Sequence, residues 1–411
     1  MIRPSLAAPL VWVAFVLAHV LVAVLGWVLP SQPMGDVVLV YLPWSTSALE
    51  GTAVVGITEP WVYPQVALVP MLLAHLPAAL FEAALGVEAA YLIGWAVLVT
   101  ACDLLAFAVL VGRGRRPKQL IAGGFWAGAI ALLGPVGMYR IDAIVVPLAL
   151  VGALRLIRRP AVAAVLLMLG AWMKIWPGAL LVAAVVAVRS RARIVAASVS
   201  TLVAIMGILI LLGASGQLLG FLGEQTGRGL QVEAVAATPF LWALAGGGAS
   251  IEYSFEILTF QISAPGAEVV AALLTPLMLV VVTGVVALGI WRVRAGAAAQ
   301  RLLPPLALAL VVALIVTNKV GSPQFQTWLV APVVLWIVLD HSRALTPAVL
   351  TLALSALTFT IYPVVYDGLL RAEPIPILLL TVRNVLLLVL FVHSILAVVR
   401  IPASAQRASV N

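Results

Sequence analysis

The stretch Arg158–Arg193, RRPAVAAVLLMLGAWMKIWPGALLVAAVVAVRSRAR, decides how this chain must be read. Arginines at Arg158-Arg159 and at Arg189, Arg191 and Arg193 bracket an apolar run with one charge near its middle, Lys174. Charges confined to the ends of apolar runs are a membrane pattern. Between the two arginine clusters lie about 29 residues. Two full crossings at about 1.5 Å per residue would need about 40. The hairpin is therefore short, and its tip, Met173-Lys174-Ile175-Trp176-Pro177, is expected below the outer surface. A lysine at such depth costs several kcal/mol unless it meets an anion or a water-filled cavity.

The rest of the chain has the same character. Of 411 residues, 64% are hydrophobic and 9% charged, and mean hydropathy is +1.19. Soluble globular proteins are about 25% charged. The composition excludes a soluble enzyme, a disordered tail and a disulfide-stapled secreted domain, leaving a polytopic all-α membrane protein. A single cysteine, Cys102, excludes an internal disulfide and a cysteine metal site.

Apolar segments long enough to serve as spans fall at about 8–30, 88–111, 119–137, 141–157, 161–173, 177–188, 194–213, 267–291, 302–317, 327–341, 344–362 and 376–399. This predicts about twelve transmembrane helices. The segment 66–84 is not counted: it carries Pro70 and Pro77, its far flank holds Glu82 and Glu88, and counting it inverts every later loop. It is read as a helix lying on or dipping into the outer surface.

This layout sorts the basic residues. Of the 23 lysines and arginines, only Arg140, Lys174, Arg228, Lys319, Arg371 and Arg383 are left for the outer side or the membrane. The others fall in short inner loops, as the positive-inside rule requires. A plasma-membrane protein with both termini in the cytoplasm is expected, and the net charge of +8 is a topology signal with no bearing on nucleic acid. Of the 15 acidic residues, only Asp103 lies within a span and only Asp340 at an inner end. Polar function is therefore expected on the outer face.

The chain reads as one integral membrane domain: a module over 1–213 with a long outer loop at 31–87, a second outer loop at 214–266, and C-terminal helices over 267–411. Both outer loops are expected to be partly helical and interfacial. Loops of this length are functional more often than not. No phosphate-cradling GxxxxGK[ST] is present.

Five constellations on the outer side combine the right residue types. Gly35-Asp36 followed by Tyr41 places a carboxylate at the end of the first span, either as a general base or as a helix cap. Lys174 either holds a phosphate or snorkels to headgroups. In Glu224-Gln225-Thr226-Gly227-Arg228-Gly229-Leu230-Gln231-Val232-Glu233, the i,i+4 spacing of Glu224 and Arg228 suggests an ordinary ion pair. Alternatively Arg228 meets a phosphate, and Gln231 or Glu233 meets sugar hydroxyls. Asn318-Lys319-Val320-Gly321-Ser322-Pro323-Gln324-Phe325 is a turn dense in hydrogen-bonding groups, with Lys319, Ser322 and Gln324 as candidates. Tyr139-Arg140-Ile141-Asp142 opens a span, with Asp142 a possible cap. Asp103, Arg383 and Asn384 are intramembrane, where function and helix-to-helix hydrogen bonding explain a polar group equally well. The four histidines have no metal-ligand spacing.

Taken in order, Asp36…Tyr41, Tyr63-Pro64, Tyr139-Arg140-Ile141-Asp142, Lys174-Ile175-Trp176-Pro177, Arg228 to Glu233 and Asn318 to Phe325 with Trp328 resemble the GT-C glycosyltransferases. Among these they are similar to glycosyltransferase family 87, the actinobacterial polyprenyl-phosphate-mannose-dependent mannosyltransferases. The resemblance covers nearly the whole chain. It implies a GT-C-like fold, Asp36 as catalytic base, inversion at the anomeric carbon, and Lys174 and Arg228 on the phosphate of a polyprenyl-phosphate sugar. It implies mannose as the sugar, a lipid or glycan acceptor, and no metal or other cofactor. Phe325 stands where the resemblance leads one to expect a tyrosine, and no histidine flanks Ser322-Pro323-Gln324. Two other classes compete: a 12-span secondary transporter or lipid flippase of envelope biogenesis, and a non-catalytic scaffold of envelope synthesis. The transporter predicts inverted repeats with paired broken helices. The scaffold does not need Asp36, Lys174 and Arg228 on one face.

Overall fold

Among the described residues, Ala7–Val28 is the first of eight helices long and apolar enough to cross a membrane. The others are Val87–Val111, Pro117–Gly137, Arg191–Leu211, Ala267–Arg294, Ala299–Val316, Leu345–Val364 and Pro374–Val399. The computed structural model describes residues 4–114, 116–254 and 259–402. Arg3, Arg115 and Arg407, counted among the inner basic residues, lie outside that set. The chain is a membrane-embedded, all-α protein apart from one short hairpin. Its apolar residues lie outside as well as inside: Leu279 and Val280 are 70% and 67% exposed on a helix that must face lipid.

Four segments expected as spans form shorter helices: Asp142–Arg155, Pro160–Ala171, Pro177–Ala187 and Val330–Leu339. At 14, 12, 11 and 10 residues they reach only about 15–21 Å of a hydrocarbon core about 30 Å thick. Hairpin arithmetic anticipates the second and third. The fourth is short because Pro323–Leu329 is wound as a 3-10 turn before the α-helix begins. Asp142–Arg155 and Val330–Leu339 are interior helices, whose ends are surrounded by protein rather than lipid. Val330 to Ile337 are accordingly all buried.

The Ala299–Val316 helix is central, packing on Pro177–Ala187, Ala267–Arg294, Val330–Leu339 and Pro374–Val399. One hydrophobic cluster runs from Phe15 to Ile401, so the early and late helices share a core. A smaller cluster joins Leu230, Val232 and Leu241 of the second loop to Ile361, Leu369 and Leu380.

Both long loops are folded onto the helices. The segment 66–84 breaks into Leu68–Leu73, His75–Ala78 and Glu82–Leu85 and packs on Val87–Val111. Contact there is so close that a Cβ on Gly94 would overlap the Ala74 carbonyl oxygen. The second loop holds Gly220–Thr226, Thr238–Ala245 and an antiparallel hairpin, Ser250–Ser254 with Thr259–Ser263. The two helices fit the expected partly helical loop, and the hairpin is an addition to it. Its alternating Ile251, Tyr253, Phe260 and Ile262 carry the period of a strand. Segment 230–232 joins it through Ile262 N–H to the Leu230 carbonyl (2.8 Å) and Val232 N–H to the Phe260 carbonyl (3.2 Å).

Candidate functional site

Asp36 heads the turn Val37–Tyr41 but makes no side-chain capping bond. Its carboxylate lies 3.2 Å from Arg140 Nε instead, with the arginine side chain 6% exposed and the aspartate 36%. The guanidinium also donates to the carbonyls of Pro33 (3.0 Å) and Tyr139 (2.9 Å) and to the Tyr362 hydroxyl (3.1 Å). Burial alone would lower the Arg140 pKa, but Asp36, Tyr362 and Tyr41 outweigh it and hold it above its usual value. Arg140 is therefore a fixed cation, and Asp36 is aimed by a rigid neighbour.

Tyr41 is a strut, not an open side chain. It is fully buried, its hydroxyl accepts from Ile141 N–H (3.0 Å), and its ring meets Trp95 and Trp44. Burial is the main reason its pKa is raised. It ties the first outer loop to the start of the Asp142–Arg155 helix.

Asp142 sits in the first turn of that helix, directly after its N-cap residue Ile141. It is fully buried, and one carboxylate oxygen accepts from the Trp328 indole (2.6 Å). The other has no hydrogen-bond partner and lies 3.7 Å from Lys174 Nζ. Lys174 is therefore turned inward at the hairpin tip with its side chain 14% exposed, so it does not snorkel. Its ammonium stands 4.5 Å from the centre of the Tyr63 ring, and among the described residues it makes no hydrogen bond. Burial lowers its pKa, yet Asp142 first, then Tyr63 and Asp36, raise it above the usual value, against the like charge of Arg228. Tyr63 packs edge-on against Trp44 and Trp61 (6.1 and 5.5 Å between ring centres), forming an aromatic wall beside the lysine.

Arg228 is part-buried. Among the described residues it forms no ion pair with Glu224, and its Nε has no hydrogen-bond partner. Burial lowers its pKa, with Tyr63 and Glu224 opposing. Lys319 is also lowered, by burial and then by Arg228. Lys174, Arg228 and Lys319 thus form one cationic patch, in which each feels at least one other.

The remaining candidates serve the frame around this patch. Gln231 is buried, and its backbone N–H donates to the Lys319 carbonyl (3.0 Å). Glu233 is buried and paired with Arg383, which also donates to the Glu233 carbonyl (2.8 Å). Burial pushes the Glu233 carboxyl up and Arg383 pulls it back, leaving it above its usual value. Asn384 donates to Thr238 (2.8 Å). The intramembrane Arg383 and Asn384 therefore anchor the second loop. Ser322 lines a small cavity with Glu233 and Arg383. Gln324 is buried, and its carbonyl accepts from Thr327 (2.8 Å). The turn itself is closed by Asn318, whose side chain accepts from Val320 N–H (2.9 Å).

The fold brings Asp36, Arg140, Asp142 and Lys174 within electrostatic reach of one another, and Arg228 within reach of Lys174. It leaves Tyr41, Gln231 and Glu233 as supports. Tyr362 and Tyr366 were not anticipated. Their rings meet at 90° with centres 5.0 Å apart, linking the Asp36 side to Glu233. The Tyr362-Pro363 break at the end of an apolar run was the available signal. No group of three or more His, Cys, Asp or Glu side chains that could hold a metal occurs among the described residues. Chemically, the arrangement offers one part-exposed carboxylate held by Arg140, near the Lys174 ammonium, with the unpartnered Nε of Arg228 beside that lysine. The chain matches no protein-family model, no curated protein and no solved structure.

Proposed function

We propose that the protein is a membrane glycosyltransferase. It moves a sugar, mannose in the resemblance, from a polyprenyl-phosphate sugar to a lipid or glycan acceptor at the outer face of the plasma membrane. The termini lie in the cytoplasm. The observation that carries the reading is the part-exposed Asp36 carboxylate, held by Arg140 on the same side as Lys174 and Arg228, whose donors are not used up by the protein.

Asp36 takes the proton of the acceptor hydroxyl. The freed oxygen attacks the anomeric carbon from the face opposite the phosphate, and the bond from that carbon to the phosphate oxygen breaks. Polyprenyl phosphate leaves with the bonding electrons, and configuration inverts. Its added negative charge meets Lys174 and Arg228, preorganised cations in a site of low dielectric. Trp44, Trp61 and Tyr63 supply an apolar wall against which a sugar ring can lie.

A transfer assay with purified protein, a panel of polyprenyl-phosphate sugars and membrane acceptors tests this. Product with inverted configuration, absent with Asp36→Asn, is expected. A second reading, the transporter, gains from the short Val330–Leu339 helix in the second half, a counterpart to the Lys174 hairpin. Substrate movement across vesicles with no transfer would favour it and overturn the enzyme.

A further inference from the structure

Asp142 and Arg155 are the two ends of one 14-residue helix, so the far end lies about 20 Å from the site above. Around that far end is a cavity of about 570 Å³. Arg155, Arg158 and Arg159 enter it from the turn between the Asp142–Arg155 and Pro160–Ala171 helices, and Arg116 from the start of Pro117–Leu133. Among the described residues no acidic one lines it. Among the described residues none of these four arginines is in an ion pair. The acid nearest in sequence to the lining, Asp340, is engaged with Arg343 (3.9 Å).

Arginines that served only to set topology would need no common volume, since they act by their number in a loop. Here they line one partly open space whose other wall is apolar, with Val109 exposed on the Val87–Val111 helix, which continues into the membrane, and Leu335 and Leu339 behind it. Guanidinium groups bind phosphate oxygens in pairs. Basic pockets between membrane helices suit lipid head groups. The volume falls in the range of small-molecule sites.

We propose that this cavity binds the phosphate head group of an anionic phospholipid in the leaflet on the arginine-rich side. The acyl chains would follow the apolar wall. A soluble phosphate shares the head-group chemistry but has no use for that wall. The inference is independent of sugar transfer.

The full chain, purified in detergent and titrated with phosphatidylglycerol or phosphatidylcholine, is examined by native mass spectrometry and thermal unfolding. Phosphatidylglycerol is expected to be retained and to raise the melting temperature, and phosphatidylcholine is not. Inorganic phosphate or glycerol phosphate alone should give no shift; a shift as large as the lipid's overturns the lipid assignment. Replacing Arg158 and Arg159 by Gln should weaken retention about tenfold or more. Those changes could disturb insertion, so Leu154→Trp, at the cavity wall, is made as well. It leaves every charge in place and fills the space, and the same loss is expected. Undiminished phosphatidylglycerol retention in Leu154→Trp overturns the site.

Discussion

Arg140 Nε lies 3.2 Å from Asp36 Oδ2, although the two residues belong to different segments, a loop turn and the entry to a later helix. The same guanidinium reaches Pro33, Tyr139 and Tyr362. It therefore fixes both the position of the carboxylate and the course of the chain that carries it. A carboxylate that is oriented but still part-exposed can accept a proton from an incoming hydroxyl, whereas one closed off on all sides cannot.

Asp36→Asn removes the base and keeps the shape. Sugar transfer should fall by about 10²–10⁴-fold in kcat, with a smaller loss of thermal stability, because the nearly buried Arg140 loses its counter-charge but keeps Pro33, Tyr139 and Tyr362. Asp36→Glu should retain part of the activity. Single-turnover transfer rates measure this, and full activity in Asp36→Asn would remove the base assignment.

Arg140→Lys keeps the charge and loses the fork. One ammonium cannot serve Asp36, Pro33, Tyr139 and Tyr362 together. Loss of these buried hydrogen bonds should cost about 1–3 kcal/mol. A lower kcat with little change in donor KM is expected, since Arg140 orients the base and does not hold the phosphate. A change confined to KM would place Arg140 on the donor instead.

The lysine at the hairpin tip was legible because charge is rare in an apolar run, and length arithmetic alone put it below the surface. The partner was not. Asp142 meets Lys174 through the packing of the Asp142–Arg155 and Pro160–Ala171 helices, and no spacing within one element encodes that. Likewise Arg383 and Glu233 are 150 residues apart, so Glu233 read from its own neighbours looks like an open sugar ligand. The long spans followed from composition. The strand hairpin did not stand out, because its alternation covers two short runs beside far stronger apolar signals.

Lys174 and Asp142 invite a double-mutant cycle. Lys174→Met leaves a fully buried carboxylate without its cation, and breaking such a pair costs about 3–5 kcal/mol. Adding Asp142→Asn, which can still accept from the Trp328 indole, should recover much of that stability. Transfer activity should stay lost in the double variant, because the phosphate contact is gone. Recovery of both together would make Lys174 purely structural.

Gly321 approaches the second loop so closely that a Cβ would overlap the backbone of Glu233 and Ala234. Backbone cannot move aside as a side-chain tip can. Gly321→Ala should therefore lift residues 318–322 off 231–234 and weaken the Gln231 N–H to Lys319 carbonyl bond, at a cost of about 1–3 kcal/mol. Faster proteolysis within 214–266 together with a lower melting temperature is the expected signature. Unchanged cleavage would mean that the loop is held elsewhere.

His75 gives the first loop a pH dependence. Its Nε2 lies 2.8 Å from Ser45 Oγ, and the hydroxyl in turn lies 2.8 Å from the Tyr41 carbonyl. A hydroxyl that donates to Tyr41 accepts from a neutral, Nε2-protonated imidazole, so the contact needs no charge. Burial lowers the His75 pKa below its usual value, with Glu82 opposing. Between the lowered folded value and the unfolded value near 6.5, the unfolded chain binds more protons, so stability falls as pH falls. The contribution is complete above the unfolded value and is lost as pH drops through the folded one. Thermal unfolding from about pH 8 to about pH 5 should show this decline, and His75→Gln, which can still donate to Ser45, should flatten it. The same slope in parent and variant would assign the dependence to another group.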